Sequence, residues 1–440
     1  MNPGGRLVNR IRESIGKINH ALKYERVVDL EMSQWWSYVK LLRFQNQRLR
    51  KIVNHAYKHI PGYHAKFVQA NVKPADIQTV DDLYKLPITT REEIQDNHSF
   101  VNQNLVTGTL YTGGSTGTTL RYFESRESGI VRWQTHLRGW RWAGYKYGSK
   151  RLAVISSAQG IVEAANARNL VGDLREKNIQ INVARLLEFK PQHLRGYVSS
   201  IYIMAKYCLD HEIQIDFIES ANVISENLYD FQREIIEKAF CCKVFEEYCC
   251  NDGGASAWEC GAHNGLHYVM ERAIIEEVGG EMIVTDLWNK AMPFIRYRNG
   301  DAVKFLDKKC RCGRALPLIS VQGRTNDILL TPNGPISPGF LIHHGSGQVG
   351  IDKRKGDFRS GIRCVQYIQD SGYRLKVNLV KNKWCSSKEI EEFLTTLDEI
   401  APGMHIDLQV VDELMTTEKG KRQFIVNNDK ELLRKWGYEY

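Results

Sequence analysis

The stretch YTGGSTGTTLRYF, Tyr111 to Phe123, decides how the rest of the chain is read. It crowds Gly113, Gly114 and Gly117 together with Thr112, Ser115, Thr116, Thr118 and Thr119. Glycine lets backbone N–H groups approach an anion, and small hydroxyls add donors without bulk, so such a loop suits phosphate. The Walker pattern GxxxxGK[ST] is not met, because Thr118 and Thr119 follow Gly117 where a lysine is required. The dinucleotide pattern GxGxxG is not met either. On spacing alone, a flexible Ser/Gly turn accounts for the stretch equally well.

Outward from the loop the pattern alternates. A helix is expected from about Arg126 to Tyr147, a buried strand at RLAVISS (151–157) and a Pro-bounded helix at FKPQHLRGYVSSIYIMAKYCLD (189–210). NVISEN (222–227) reads as a strand, LYDFQREIIEKAF (228–240) as a helix and KVFEEY (243–248) as a strand. Strands alternating with helices imply an α/β sheet with parallel strands. From HYVMERAIIEEV (267–278) through GGEMIVTDL and PFIRYRNGDAVKF the strands crowd into a β-rich subdomain. Upstream, Leu49, Ile52, Val53, Ala56, Tyr57 and Ile60 recur at helical spacing, so Leu30 to Ile60 reads as a helix stopped by Pro61-Gly62. Its aromatic face, Trp35, Trp36 and Phe44, is expected to pack on the next domain, and Thr90 is expected to cap a helix that opens at Arg91.

Near Gly323 the composition shifts, and TPNGPISPGF (331–340) reads as a boundary. Beyond it, GIRCVQYIQD, YRLKVNLV, the helix SSKEIEEFLTTLDEI, IDLQVV and RQFIVN make a compact α/β domain. The fold class is therefore α/β. A large N-terminal domain, 1–323, combines α/β subdomains with a β-rich one, and a small C-terminal α/β domain covers 324–440.

A chain of 440 residues exceeds one ordinary core. The net charge of +9 is scattered, and Arg43, Arg48, Arg50, Lys51 and Lys353, Arg354, Lys355 read as solvated surface. No basic-and-aromatic strand pattern points to nucleic acid. The opening MNPGGRLVNRIRESIGKI has no apolar core of signal-peptide length, and no run of about 18 apolar residues occurs, so no transmembrane segment and a cytoplasmic location are expected. Ten cysteines in such a chain read as reduced thiols or metal ligands, not as a disulfide framework.

Five segments in order resemble the adenylate-forming superfamily, which includes acyl-CoA synthetases, luciferases and peptide-synthetase adenylation domains. YTGGSTGTT is similar to its phosphate loop and EEYCCNDGG (246–254) to its adenine-contacting stretch. GGEMIVTDL with FIRYRNGDAV resembles its ribose-binding segment, GRTNDILLTPNG its hinge and EKGKRQFIV its C-terminal lysine motif. LRKIVNHAYKHIPGYHAKF, AWECGAHNGLHY and CRCGR narrow the resemblance to the phenylacetate–CoA ligase and CapK-like branch. The resemblance spans nearly the whole chain and implies a mobile C-terminal domain.

It also implies an ATP-dependent carboxylate ligase. Such an enzyme forms an acyl-adenylate and passes the acyl group to coenzyme A, or to an amine or hydroxyl on a surface-polysaccharide precursor. Thr112, Gly113, Gly114, Ser115, Thr116, Gly117 and Thr118 would hold the β and γ phosphates, and Tyr248 would stack on adenine. Asp301 and Arg324 would bind the ribose, Asp327 would be the hinge, and Lys421 would bridge the substrate carboxylate and the α-phosphate. Asp252 stands where the family has the glutamate beside Mg2+, and Asn251 where it has Ser or Thr. Those two departures keep a second reading open: a degenerate adenylating protein acting as a nucleotide-binding or assembly subunit. The acid pocket is expected among Arg138 to Tyr147, Ser156 to Ala158 and Asn222 to Ser225, where Arg138, Trp140 and Arg141 either recognise a polar acid or pack.

One further cluster stands out. Cys310-x-Cys312 on an expected turn, with Cys260, His263 and His267 upstream, offers a Cys3His set suited to structural Zn2+. His267 is preferred as the fourth ligand because it begins a strand, with His263 the alternative; four reduced side chains without metal is the other reading.

Overall fold

The computed structural model describes residues 28–95, 97–111, 120–155, 163–164, 167–171, 176–322, 328–336, 341, 361–381, 383, 385–415 and 424–436. They form two compact units: residues 1–110, 121–140 and 249–320 belong to the first, and 111–120, 141–248 and 321–440 to the second.

In the first unit, the expected helix from Leu30 to Ile60 is divided. A short helix Leu30–Ser33 stops, and the long helix Tyr38–His59 starts afresh where the Ser37 hydroxyl accepts from the Lys40 N–H at 3.4 Å. Pro61 then opens the helix Pro61–Gln69, because proline fits the first helical turn and not an interior. Leu41, Leu49, Ile52, Val53 and Ala56 form the buried stripe. Phe44 packs between Trp36 and Trp288, at ring distances of 5.9 and 6.3 Å, and Trp35 is exposed. Thr90 caps the helix Arg91–Ile94 in a capping box with Glu93, as expected. The helix Arg126–Trp142 ends short of the expected Tyr147. The crowded strands are antiparallel: Glu281–Asp286 pairs with Ala273–Val278 and with Tyr297–Leu306, while Leu266–Tyr268 pairs with Ser256–Glu259.

The second unit holds the parallel ladder. Ala167–Val171, Arg151–Ile155, His193–Tyr197, Ser220–Ile224 and Lys243–Cys249 lie side by side in that order. The stretch 189–210 is not one helix: His193–Tyr197 is a strand and only Val198–Asp210 is helical. Gly196 explains the difference, because a side chain there would collide with the Val154 carbonyl of the adjacent strand. Leu152, Val154, Leu194, Ala221, Val223 and Val244 bury one face of this sheet against Ile201, Ala205, Cys208, Ile236 and Phe240. The C-terminal elements form as expected. Ile362–Gln369 pairs antiparallel with Arg374–Lys381, flanked in parallel by Ile425–Asn427 and His405–Val410. The helix Ser387–Ile400 is capped by a Ser386/Glu389 box and buries Phe393, Leu397 and Ile400. Among the described residues no helix is long and apolar enough to cross a membrane.

Candidate functional site

The strand Lys243–Cys249 of the second unit carries Tyr248, half-buried, at its end. In the first unit the chain then turns through Asn251, which is exposed, and Asp252, which is buried. Gly253 and Gly254 make this turn at φ +95° and +77°, the left-handed region that penalises a Cβ. Gly254 is doubly constrained, since a Cβ there would sit 2.8 Å from Asp286 Oδ2. Asp286 is itself fixed, its Oδ1 accepting from the N–H groups of Trp288 at 2.6 Å and Asn289 at 3.0 Å.

Asp252 faces inward. The Cys250 thiol donates to its Oδ1 at 3.1 Å and the Tyr297 hydroxyl to its Oδ2 at 3.2 Å. Burial raises its pKa above the ordinary carboxylate value; Cys250 and Arg91 oppose the rise, and the nearby Asp301 charge adds to it. A carboxyl that is turned inward, and whose charged form burial disfavours, is poorly placed for Mg2+, so the expected metal role requires Asp252 to give up both bonds. Asp301 is half-buried on the strand Tyr297–Leu306, where its Oδ2 accepts from Asn299 Nδ2 at 3.3 Å.

Around the turn lie groups that no local motif announced. Arg272 donates to Ser256 Oγ and lies 3.5 Å from Cys249 Sγ. His136 Nε2, 113 residues away in sequence, is 3.9 Å from the same thiol. The hydroxyl of Tyr122 is buried with no hydrogen-bond partner among the described residues. The contacts of Tyr297, Arg272 and His136 join distant segments, so only the fold reveals them. Arg138 is not free to recognise an acid. It is 1 % exposed and grips Glu271 at 2.8 Å while donating to the Leu30 carbonyl at 3.2 Å. Trp140 likewise packs, edge-on to Trp133 at 5.5 Å.

Cys260, His267, Cys310 and Cys312 come together, with one ligand atom from each lying within 4.8 Å of all the others. Cys260 Sγ and Cys310 Sγ are 3.6 Å apart, and Cys312 Sγ and His267 Nε2 are 3.2 Å apart. A tetrahedral ion with metal–sulfur bonds near 2.3 Å needs sulfur–sulfur edges of about 3.8 Å, so the four side chains fit one. His267 Nδ1 lies 3.1 Å from the Leu316 carbonyl; donating there leaves Nε2 bare for a metal. Burial pushes the imidazole down to about 4, against the Leu316 bond, which keeps it in the neutral ligating form. Burial also pushes the Cys260 thiol up to about 12, a cost that a metal cation offsets. His263 stands apart from the four, its Nδ1 3.2 Å from Glu259.

Thr112, Gly113, Gly114, Ser115, Thr116, Gly117, Thr118, Thr119, Arg324, Asp327 and Lys421 lie outside the described residues, as do Ser156 to Ala158.

Three comparisons bear on this site. The CapK C-terminal domain family matches residues 348–428. Protein CapK of Staphylococcus aureus is 24% identical over 94% of this chain and 95% of its own length. Phenylacetate-coenzyme A ligase of Escherichia coli (strain K12) is 26% identical over 69% of this chain and 75% of its own. A crystal structure of 2-hydroxyisobutyryl-CoA ligase, in complex with 2-HIB-AMP and CoA, shares the fold at a TM-score of 0.65 and 16% identity, covering 94% of this chain and 96% of that one. The fold and the matches define an adenylate-forming ligase. In sequence the chain is similar to protein CapK and to phenylacetate-coenzyme A ligases, and the CapK C-terminal domain family matches only its residues 348–428.

Proposed function

We propose that this ligase joins a carboxylic acid to AMP and then hands the acyl group to coenzyme A, with an amine or hydroxyl of a surface-polysaccharide precursor as the other acceptor its CapK likeness suggests. The acid's carboxylate oxygen attacks the α-phosphorus of ATP, and pyrophosphate leaves. The acceptor then attacks the acyl carbon, and AMP leaves. Phosphoryl transfer of this kind asks a protein mainly to position groups and offset charge.

The observation that carries the proposal is the Cys249–Gly254 turn. Two left-handed glycines follow Asn251 and Asp252 in this turn, and the Asp301 charge acts on Asp252. In this reading Tyr248 stacks on adenine, Asp301 and Arg324 accept and donate at the ribose, and the loop from Thr112 to Thr118 holds the β and γ phosphates. Lys421 neutralises the reacting centre. The segment 324–440 acts as a mobile domain hinged at Asp327, and the family match at 348–428 lies inside it. Mg2+ bound beside Asp252 would neutralise phosphate charge. Zn2+ held by Cys260, His267, Cys310 and Cys312 would staple the β-rich part of the first unit without taking part in chemistry.

The inward bonds of Asp252 favour the second reading, a degenerate nucleotide-binding subunit, unless nucleotide binding turns that carboxyl outward. Hydroxylamine trapping separates the two. Acid- and ATP-dependent hydroxamate supports the ligase; ATP binding with no hydroxamate from any acid supports the degenerate protein.

A further inference from the structure

The parallel sheet of the second unit has two unlike faces. Leu194, Ala221, Val223 and Val244 point into the apolar core. The register puts Arg195, Asn222 and Phe245 in a row on the opposite face, with Tyr197, Ile224 and Glu247 as the next row toward the carboxyl ends of the strands.

Arg195, Asn222 and Glu247 make that face partly polar, and Asn222 and Glu247 are buried. Arg195 holds Glu247 through two bonds, Nε to Oε2 at 3.1 Å and Nη2 to Oε1 at 2.6 Å, and the Glu247 side chain is 0% exposed. Asn222, on the strand between them, is 4% exposed, and its amide nitrogen has no hydrogen-bond partner among the described residues. A buried donor left without an acceptor is destabilising, a cost that an apolar residue of similar size would avoid. The row also runs toward Tyr248, at the carboxyl ends of the parallel strands, where open α/β sheets bind ligands.

We propose, resting on the ligase reading, that this face selects the acid. Asn222 donates to an oxygen of the substrate, and the substrate is a hydroxylated acid of the hydroxy- or sugar-acid class, not an aryl or long-chain alkyl acid. The wall binds and orients; it forms no bond with the substrate.

The test is acid-dependent exchange of labelled pyrophosphate into ATP with glycerate, gluconate and glucuronate against phenylacetate and octanoate. A hydroxylated acid is expected to exceed both apolar acids in kcat/KM by roughly tenfold or more, since a site built to hydrogen-bond rejects an analogue lacking the group. Asn222→Leu is expected to shrink that ratio roughly tenfold, chiefly through KM. Asn222→Ser, which keeps a donor, should retain most of the ratio and serves if the leucine variant fails to fold. Phenylacetate or octanoate as the better substrate overturns the inference, and so does an Asn222→Leu variant that slows every acid equally. Exchange with no acid at all sinks the ligase reading itself, a result distinct from a preference for the apolar acids.

Discussion

The Tyr297 hydroxyl donates to Asp252 Oδ2 at 3.2 Å across 45 residues of sequence, and the Cys250 thiol takes the other carboxyl oxygen at 3.1 Å. The carboxyl assigned to nucleotide chemistry is thus held by the protein's own interior, and its ionisation works against the fold.

That arrangement has a pH signature. Burial raises the Asp252 pKa, so the folded protein binds this proton more tightly than the unfolded chain does. The resulting stabilisation is complete below the unfolded value of about 3.9 and is lost as pH rises through the folded value. Asp252→Asn stays neutral throughout. It is expected to be more stable than the parent at pH 7, by on the order of 1 kcal/mol for each unit the pKa is raised, with the gain vanishing near pH 4. Urea denaturation at both pH values checks this, and adenylate formation should fall in the same variant. A variant less stable at pH 7 contradicts the account of Asp252.

The cysteine–histidine cluster makes a separate demand. Protein purified without a histidine tag is expected to carry about one equivalent of zinc per chain. Cys310→Ser should release the metal and lower stability on the order of 4 kcal/mol or more, as loss of a structural metal does. Elemental analysis and thermal melting measure both. Less than about a tenth of an equivalent in the parent protein rules the site out.

Arg138 and Glu271 test the packing of the first unit. Both side chains are almost wholly buried, at 1% and 0% exposure, and Ser33 Oγ adds a bond to the same Glu271 oxygen at 2.5 Å. Arg138→Met leaves a buried charge unpaired and is expected to cost about 3–5 kcal/mol. Adding Glu271→Leu should recover most of that loss. Chemical denaturation of both variants decides; a single variant within about 0.5 kcal/mol of the parent marks the pair as dispensable.

The sequence announces elements whose signals are local. The Thr90 cap, the Ser386 capping box and the helix after it, and the alternation of strands with helices need only nearby residues to be read. The cysteine–histidine cluster is legible because cysteine and histidine have few other uses in such a pattern, and His267, on the strand Leu266–Tyr268, joins the three cysteines where His263 does not. Non-local constraints were not legible. Gly196 sits in a strand because the Val154 backbone lies against it, and the apolar run after it masks this with a helical period. Sequence alone leaves Arg138 open between recognition and packing because its partner Glu271 is 133 residues away. Tyr297 and Cys250 have no motif of their own; only the turn of the chain brings them to Asp252.

Lys421 is the residue on which the chemical reading turns, a cation assigned to the reacting carboxylate and α-phosphate. The most direct test is acid-dependent pyrophosphate exchange in the parent protein and in Lys421→Ala, with ATP binding measured alongside. The expected result is exchange in the parent, a loss of roughly a hundredfold or more in the variant, and ATP binding retained in both. Near-normal exchange in Lys421→Ala would falsify the role of that lysine, and a parent protein that binds ATP yet exchanges pyrophosphate with no acid contradicts the ligase account as a whole.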